Sequence, residues 1–194
     1  GPTGSGKTTT LYAALGELAK PNVNVITVED PVEKNIEGIN QCQVNAKAGM
    51  TFAAALRSIL RQDPDIVMIG EMRDQETAEI AIRAAITGHM VLSTLHTNDA
   101  ASTITRLVDM GVAPYMVATS LIGIVAQRLC KVVCNECKTP RMSTPEENEL
   151  LGITESATIY DACGCPKCNN TGYTGRTAIH EILLCTHEMA SLIA

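Results

Sequence analysis

Short apolar segments alternate with longer amphipathic ones along the first two thirds of the chain. Three short segments, 23–28, 66–69 and 90–95, are rich in β-branched and other apolar residues and predict strands. The longer segments before, between and after them place apolar residues, mainly leucine and alanine, at helical spacing. They predict helices over 7–20, 52–61, 75–87, 100–110 and 114–127. Strands that alternate with helices indicate an α/β fold with a mostly parallel sheet.

The remaining segments break this alternation. Residues 32–50 are mixed in composition and predict a short hairpin. Between 130 and 176 the chain becomes rich in Cys, Pro, Gly and Asn, and only 145–151 predicts a helix there. We therefore expect an α/β core over 1–129, a small cysteine-rich element over 130–176, and over 177–194 the truncated start of a further part of the core domain.

A glycine-rich motif opens the chain, and its first eight residues fit the G-x-x-x-x-G-K-[ST] pattern of a phosphate-binding loop. The glycines let backbone N–H groups face the phosphates, and the following helix presents its positive end to the same anion. The pattern predicts that Lys7 contacts the β- and γ-phosphates and that Thr8 ligates Mg²⁺. The candidate nucleotide-binding residues are Gly1, Pro2, Thr3, Gly4, Ser5, Gly6, Lys7, Thr8 and Thr9.

Such a loop needs a strand in front of it, and the motif begins at Gly1. The last residues, 189–194, have the composition of an unfinished helix. We therefore expect the chain to be an internal segment of a longer protein, with the first strand of the core missing.

Polar residues follow each of the three predicted strands: Glu29, Glu71 and His96. Ligands of open α/β sheets bind beyond the carboxyl ends of the strands, so these side chains should converge on the phosphates. We expect Glu71 to hold Mg²⁺, Glu29 to orient or deprotonate the attacking water, and His96 to sense the γ-phosphate. The alternative for each is a helix cap or a solvated loop residue. The other histidines, His89, His180 and His187, are not assigned to the site.

Two arginines, Arg57 and Arg61, are four residues apart in a predicted helix and therefore share one face. Their charges are placed to meet a phosphate, including one bound to a neighbouring subunit. The alternative is a solvated face whose arginines pair with Asp63 or Asp65.

Two C-x-x-C pairs are formed by Cys134 with Cys137 and by Cys165 with Cys168. Two such pairs supply the four thiolates of a tetrahedral Zn²⁺ site. The 27 residues between the pairs must fold as their own element. Cys163 could compete as a ligand, and a redox-active thiol cluster is the alternative to zinc. We expect the other three cysteines to pack as small apolar residues: Cys42, Cys130 and Cys185.

The amino-acid composition argues against several classes of function. With 15 basic and 21 acidic residues, the formal net charge of −6 argues against a binder of nucleic-acid backbones. Aromatic residues make up only 3% of the chain and offer few platforms for stacking bases. The sequence shows neither a signal peptide nor a transmembrane run, which favours a cytoplasmic protein.

The motifs together, in their order, resemble the secretion ATPases of the type II secretion and type IV pilus assembly class. Residues 1–10 resemble the family's Walker A motif, and 26–33 resemble its Asp box. Residues 61–74 resemble its Walker B region, with glycine in place of the usual aspartate. Residues 87–100 resemble its His box, and residues 164–176 resemble its tetracysteine element.

The resemblance implies a RecA-like ATPase domain in a hexameric ring, with ATP bound between subunits and hydrolysis powering pilin or pseudopilin assembly. It implies phosphate contact by Lys7, a Walker B role for Glu71 and a catalytic carboxylate at Glu29. Arg57 and Arg61 match arginines that couple subunits. The implied partners are an inner-membrane platform protein and a cytoplasmic recruiting protein, which hold the ATPase peripherally at the membrane.

Three alternatives remain at this point. A conjugation ATPase or other secretion ATPase shares the core, although the cysteine element favours assembly and export members over it and over retraction motors. A GTPase is disfavoured because no N-K-x-D motif is present. A zinc-binding interaction module that binds nucleotide without hydrolysing it is the third.

Overall fold

The computed structural model describes residues 1–194. Its main sheet has four strands: β1 (Val25–Glu29), β2 (Asn40–Gln43), β3 (Ile66–Ile69) and β4 (Met90–Ser93). They lie in the order β2-β1-β3-β4, and every neighbouring pair is parallel. The predicted α/β fold with a parallel sheet is confirmed.

Seven helices accompany the strands: α1 (Lys7–Leu18), α2 (Phe52–Ile59), α3 (Gln75–Ile86), α4 (Ala101–Asp109), α5 (Pro114–Ser120), α6 (Pro145–Leu151) and α7 (His187–Ile193). Two longer strands, β5 (Gly123–Val133) and β8 (Tyr173–Leu184), form a two-stranded sheet. A second, antiparallel pair consists of β6 (Thr139–Met142) and β7 (Thr158–Asp161).

Helices cover both faces of the main sheet. On one face Leu15 of α1 packs among Val25, Ile66 and Met68. On the other, α2 and α3 pack against the alternate side chains of β1 and β3: Ile26, Val28, Val67 and Ile69. Every residue of β1 and β3 is buried. Strands covered on both faces need not alternate, so β3 is a continuous apolar run and β1 is apolar except for Thr27 and Glu29.

Local signals place most of these elements within two residues of their predicted bounds. Helix α3 begins after Asp74, whose carboxylate accepts hydrogen bonds from the backbone N–H and the hydroxyl of Thr77. It is followed by Gly88, whose φ of +105° is typical of the residue that ends a helix.

The helix predicted over 114–127 is wrong beyond Ser120. There α5 ends, and β5 begins at Gly123. Glycine and the β-branched pair that follows it weaken a helix, while Ile124 and Ala126 alternate inward with the exposed Val125. The partner strand β8 starts about 50 residues further along the chain, so no local sequence signal predicts the pairing.

The hairpin predicted over 32–50 does not form either. The segment contributes the single strand β2, which joins the edge of the main sheet in parallel register with β1. A short 3-10 turn over Ala46–Ala48 follows, closed by an isolated antiparallel bridge between Asn45 and Met50. Three of the four β2 residues are polar, so its pattern carried no strand signal.

The chain divides into two compact units. One comprises 1–128 together with 180–194 and contains the main sheet; the other comprises 129–179 and contains β6, β7, α6 and the four clustered cysteines. In neither unit is there a helix with the length and apolar character needed to cross a bilayer.

Candidate nucleotide site and metal centre

The glycine-rich loop before α1 curls around its own lysine. Gly4 and Gly6 have φ values of +76° and +82°, in the left-handed region that favours glycine. Lys7 Nζ donates hydrogen bonds to the carbonyl oxygens of Gly1 and Pro2, at 2.8 and 2.9 Å. Burial lowers the pKa of Lys7 below its ordinary value, and the nearby carboxylate of Glu71 partly opposes this. The ammonium therefore lies within the curve of the loop.

The rest of the loop is packed from behind. A Cβ at Gly1 would lie 2.6 Å from the backbone oxygen of Gln127, so only glycine fits there. Ser5 is buried, and its hydroxyl has no hydrogen-bond partner. The hydroxyls of Thr8 and Thr9 also make no hydrogen bond within the chain, while Thr8 is half-buried at the start of α1. The hydroxyls of Thr8 and Thr9 therefore remain available to a ligand.

Three of the predicted site residues meet beside the loop. His96 links Thr3 to Glu71: its Nδ1 is 3.4 Å from the Thr3 hydroxyl and its Nε2 is 3.1 Å from Glu71 Oε1. The other carboxylate oxygen of Glu71 accepts from the guanidinium of Arg73 at 2.8 Å. An open cleft next to this group is lined by Pro2, Thr3, His96, Thr97 and Asn98.

Glu29 lies in a separate network. Its side chain is almost completely buried at the end of β1, and it accepts hydrogen bonds from three neutral donors. These are the Tyr12 hydroxyl, the Thr27 hydroxyl at 2.5 Å and the Gln41 amide at 3.1 Å. Burial raises the pKa of the Tyr12 hydroxyl, and its bond to Glu29 adds to the rise. Glu29 makes no hydrogen bond or ion pair with Lys7 or Glu71.

Neither candidate arginine forms a hydrogen bond or ion pair with the loop. Arg57 forms an ion pair with Glu76 of α3 at 2.6 Å, and both side chains are more than half exposed. Arg61 lies beyond the end of α2 and forms no ion pair, so neither arginine bonds to Asp63 or Asp65. Both cations are accessible from solvent.

The four cysteines of the two C-x-x-C pairs converge in the second unit. All four sulfurs lie within 4.8 Å of one another. Three of their separations are 3.8 to 3.9 Å: Cys134 to Cys165, Cys137 to Cys168, and Cys165 to Cys168. A tetrahedral Zn²⁺ with Zn–S bonds of about 2.3 Å would separate its sulfurs by about 3.8 Å, so this donor set fits zinc.

Backbone N–H groups surround the same sulfurs. Gly164 donates to Cys137, while Cys165 and Gly172 donate to Cys168, all at 3.2 to 3.3 Å. Burial raises the pKa of the Cys137 thiol to about 12. Burial also tends to raise the pKa of the Cys168 thiol, but the hydrogen bonds donated to its sulfur outweigh burial and lower the pKa to about 6. Cys163 lies outside the cluster, exposed, with its sulfur 3.3 Å from the Thr139 hydroxyl.

Sequence reasoning missed several residues of these networks. Arg73 stands two positions after Glu71, and Tyr12 lies one helical turn beyond Thr8 on α1, so spacing alone could have drawn attention to them. Gln41 and Gln127 gave no such signal, because each lies on a strand that the pattern did not predict.

A parallel α/β sheet with a glycine-rich phosphate loop leading into a helix is the architecture of the RecA-like P-loop class. A family model described as type II/IV secretion system protein matches residues 1–194. The chain belongs to this family, as its resemblance in sequence predicted.

Curated relatives and solved structures agree with this assignment. The chain is 54% identical to the type II secretion system ATPase E of Vibrio cholerae, over all of this chain and 39% of that protein. It is 53% identical to the type IV pilus assembly ATPase PilB of Thermus thermophilus, over all of this chain and 22% of that one. Among solved structures, the pilus retraction motor PilT with bound ADP matches with a TM-score of 0.72 and 33% identity, over 100% of this chain and 48% of that one.

The match covers only part of each relative's sequence. The chain spans about two fifths of the length of the type II secretion proteins that it matches.

Proposed function

We propose that this chain is the ATP-hydrolysing motor segment of a type II secretion or type IV pilus machine, and that it powers pseudopilin or pilin assembly. The observation that carries the proposal is the glycine-rich loop, with Lys7 folded inside it, next to the group formed by Thr3, Glu71 and His96. The names of the V. cholerae and T. thermophilus relatives, both called ATPases, support it.

In this proposal the loop binds the phosphates of ATP. The N–H groups of residues 4–8 and the positive end of α1 attract the anion, and Lys7 exchanges its bonds to Gly1 and Pro2 for bonds to phosphate oxygens. Partial burial favours this exchange, because an ammonium with little water around it gains more from an anionic partner. His96 contacts the terminal phosphate from the cleft beside Thr3.

Thr8 and Glu71 would hold Mg²⁺, which neutralises charge on the β- and γ-phosphates when it is bound. The Thr8 hydroxyl is free, and the partners of Glu71 are a solvent-exposed guanidinium and an imidazole. Such surface contacts are weak, so a divalent ion can displace them.

Glu29 orients or deprotonates the attacking water. Its three hydrogen-bond donors and its burial hold the carboxylate in one place, as a positioned base requires. Glu29 makes no hydrogen bond or ion pair with Arg73 or His96, so its proposed role does not depend on the ion that Glu71 would hold.

The cysteine cluster is proposed to hold one structural Zn²⁺ through Cys134, Cys137, Cys165 and Cys168. The spacing of the sulfurs and the N–H donors around them support zinc over a redox role. Cys163 is not a ligand in this proposal.

The active assembly is proposed to be a homo-hexamer that works in the cytoplasm, peripheral to the inner membrane. An inner-membrane platform protein and a cytoplasmic recruiting protein would hold it there. Arg57 and Arg61, both exposed, would reach ATP bound by the neighbouring subunit. No nucleic acid is among the proposed partners.

Replacing Lys7 tests the motor proposal. In the full-length hexamer, Lys7→Ala should reduce Mg²⁺-dependent ATP hydrolysis by about 100-fold or more, because the charge that meets the phosphates is removed. Phosphate release measures the rate. Lys20→Ala removes a lysine that is exposed just beyond α1 and should leave the rate unchanged. Unchanged turnover in the Lys7 variant would refute the motor proposal.

A further inference from the structure

A glutamine far from the motifs supports the phosphate loop. Gln127 on β5 is buried, and its Nε2 donates a hydrogen bond to the carbonyl oxygen of Ser5 at 2.7 Å. Its Oε1 accepts from the hydroxyl of Thr10 in α1, also at 2.7 Å. One side chain therefore joins the middle of the loop to the first turns of the helix that follows it.

The bond to Ser5 sets the direction of a peptide group. In a trans peptide the C=O and the next N–H point in opposite directions. Because Gln127 holds the Ser5 oxygen behind the loop, the N–H of Gly6 is turned the other way, toward the side where phosphate would bind. An amide that is already aimed needs no reorganisation when the anion arrives.

The glutamine amide is itself held in one orientation. The Ser5 oxygen can only accept, so the nitrogen of Gln127 must face it. Oε1 is also 3.2 Å from Nε2 of His180 on β8, and since that oxygen only accepts, the histidine nitrogen donates. His180 thus fixes Gln127 from the opposite strand.

Backbone packing at the same place strengthens the link. The backbone oxygen and nitrogen of Gln127 lie so near Gly1 that a Cβ there would be 2.6 and 3.3 Å from them. Both the first residue of the loop and its fifth residue therefore rest on Gln127.

We propose that Gln127 is a positioning residue for nucleotide binding: it aims the Gly6 N–H at the phosphates, and His180 locks its side chain in place. The role rests on the proposed function, because it assumes that the loop binds a nucleotide. Gln127 orients one backbone amide and does not itself contact the reacting atoms.

Gln127→Glu removes the donor to the Ser5 carbonyl. It also adds a negative charge behind the loop, so a loss of affinity supports positioning only together with the response of the His180 variants. The glutamate has the same shape and still accepts from Thr10 and His180, but it has no N–H for the Ser5 carbonyl and sets two oxygens against each other. In the full-length protein we expect the Kd for Mg²⁺–ADP, measured with fluorescent ADP, to rise about tenfold. The KM for ATP should rise similarly, while kcat at saturating ATP changes far less.

Three further variants separate positioning from folding. Val125→Thr, an isosteric change at an exposed site on the same strand, should leave Kd within about twofold of wild type. His180→Ala removes the lock and should raise Kd about threefold, whereas His180→Gln, which can still donate, should restore it. Because His180 is exposed, this pair decides the question even if Gln127→Glu does not fold.

The outcomes also separate this role from the motor proposal. If folded Gln127→Glu binds Mg²⁺–ADP as wild type does, or if His180→Ala and His180→Gln behave alike, the positioning role is wrong while the motor proposal stands. If wild type binds the nucleotide and responds to Gln127→Glu but hydrolyses no ATP, the motor proposal alone fails. If wild type binds no nucleotide, both fail.

Discussion

Glu29 and Glu71 follow neighbouring strands, yet their surroundings differ in chemistry. Glu29 is buried among three neutral hydrogen-bond donors, whereas Glu71 is about one fifth exposed and pairs with Arg73 and His96. A buried, fully bonded carboxylate is fixed in position, while a solvent-facing ion pair exchanges partners at little cost. The two glutamates therefore suit the different tasks proposed for them, Glu29 to position a water and Glu71 to hold an ion.

Glu29→Gln tests whether Glu29 has the role of a base that positions water. The amide keeps the size of the side chain but cannot serve as a base, so hydrolysis should fall about 100-fold or more while nucleotide affinity is retained. The free energy of unfolding should also fall by about 1 to 3 kcal/mol, because the amide nitrogen now faces groups that donated to an oxygen. Steady-state ATPase rates and binding of fluorescent ADP measure the first effect, and urea unfolding measures the second.

The matched control for that substitution is Glu37→Gln, which changes an exposed glutamate of the segment leading to β2. It should alter neither hydrolysis nor stability. A Glu29→Gln protein that hydrolyses ATP at the wild-type rate would remove Glu29 from the mechanism.

At the scale of elements, α3 shows how a local signal sets a helix boundary. Asp74 is extended in backbone conformation and caps the first turn through both carboxylate oxygens, one on the N–H and one on the hydroxyl of Thr77. The helix it starts carries Ala78 and Ile82 into one apolar cluster and Ala81 into another. A single cap therefore affects packing on both sides of the helix.

Asp74→Ala should destabilise the first unit by about 1 kcal/mol, because two hydrogen bonds and a favourable interaction with the helix dipole are lost. The shift in the midpoint of urea unfolding measures it. Asp74→Asn retains an oxygen for the Thr77 N–H and should lose less. Equal midpoints for wild type and Asp74→Ala would show that the cap contributes nothing.

The strand β5 shows where element-scale reasoning failed. Residues 114–127 contain enough apolar positions to continue a helix, and only the contact with β8 settles their conformation. The burial of Ile124 and Ala126 against Ala100 also depends on that sheet being formed. A pattern read in a window of about 14 residues cannot contain a partner so far along the chain.

On the scale of the whole molecule, the second unit brings together cysteines that are 31 positions apart, Cys134 with Cys165 and Cys137 with Cys168. Apart from Cys134 and Cys168, none of its apolar side chains is fully buried, and Leu150 and Leu151 of α6 are exposed. A unit with so small a core depends on cross-links, so a metal would contribute much of its stability.

Cys165→Ser should therefore release zinc. We expect metal analysis of the purified, reduced protein to find one zinc per chain in the wild type and much less in the variant, together with a lower melting temperature. Cys163→Ser, two residues away and outside the cluster, should keep the full zinc content. Equal zinc in both variants would contradict the proposed ligand set, and no zinc in the wild type would reject the site.

The ring proposal belongs to the same scale. Arg57→Ala should lower the ATPase rate of the assembled hexamer by at least about tenfold, since a charge reaching the neighbour's phosphate is lost. The fold should be unaffected, because the exposed pair with Glu76 contributes only about 0 to 1 kcal/mol. Glu76→Gln frees Arg57 without removing its charge and should leave the rate intact. Light scattering verifies that both variants remain hexamers, and an unaltered rate in Arg57→Ala would exclude the arginine from coupling.

The sequence by itself determined the phosphate loop, the buried strands β1 and β3, most helix bounds and the two cysteine pairs. Each of these depends on residues within a few positions of one another, where spacing and backbone preference act directly. The tertiary structure alone decided that β2 joins the sheet edge, that Glu29 and Glu71 lie in separate networks, and that Gln127 supports Ser5. Gln127 and Ser5 are 122 positions apart, and contacts over such distances form only when the whole sheet and core bring their elements together.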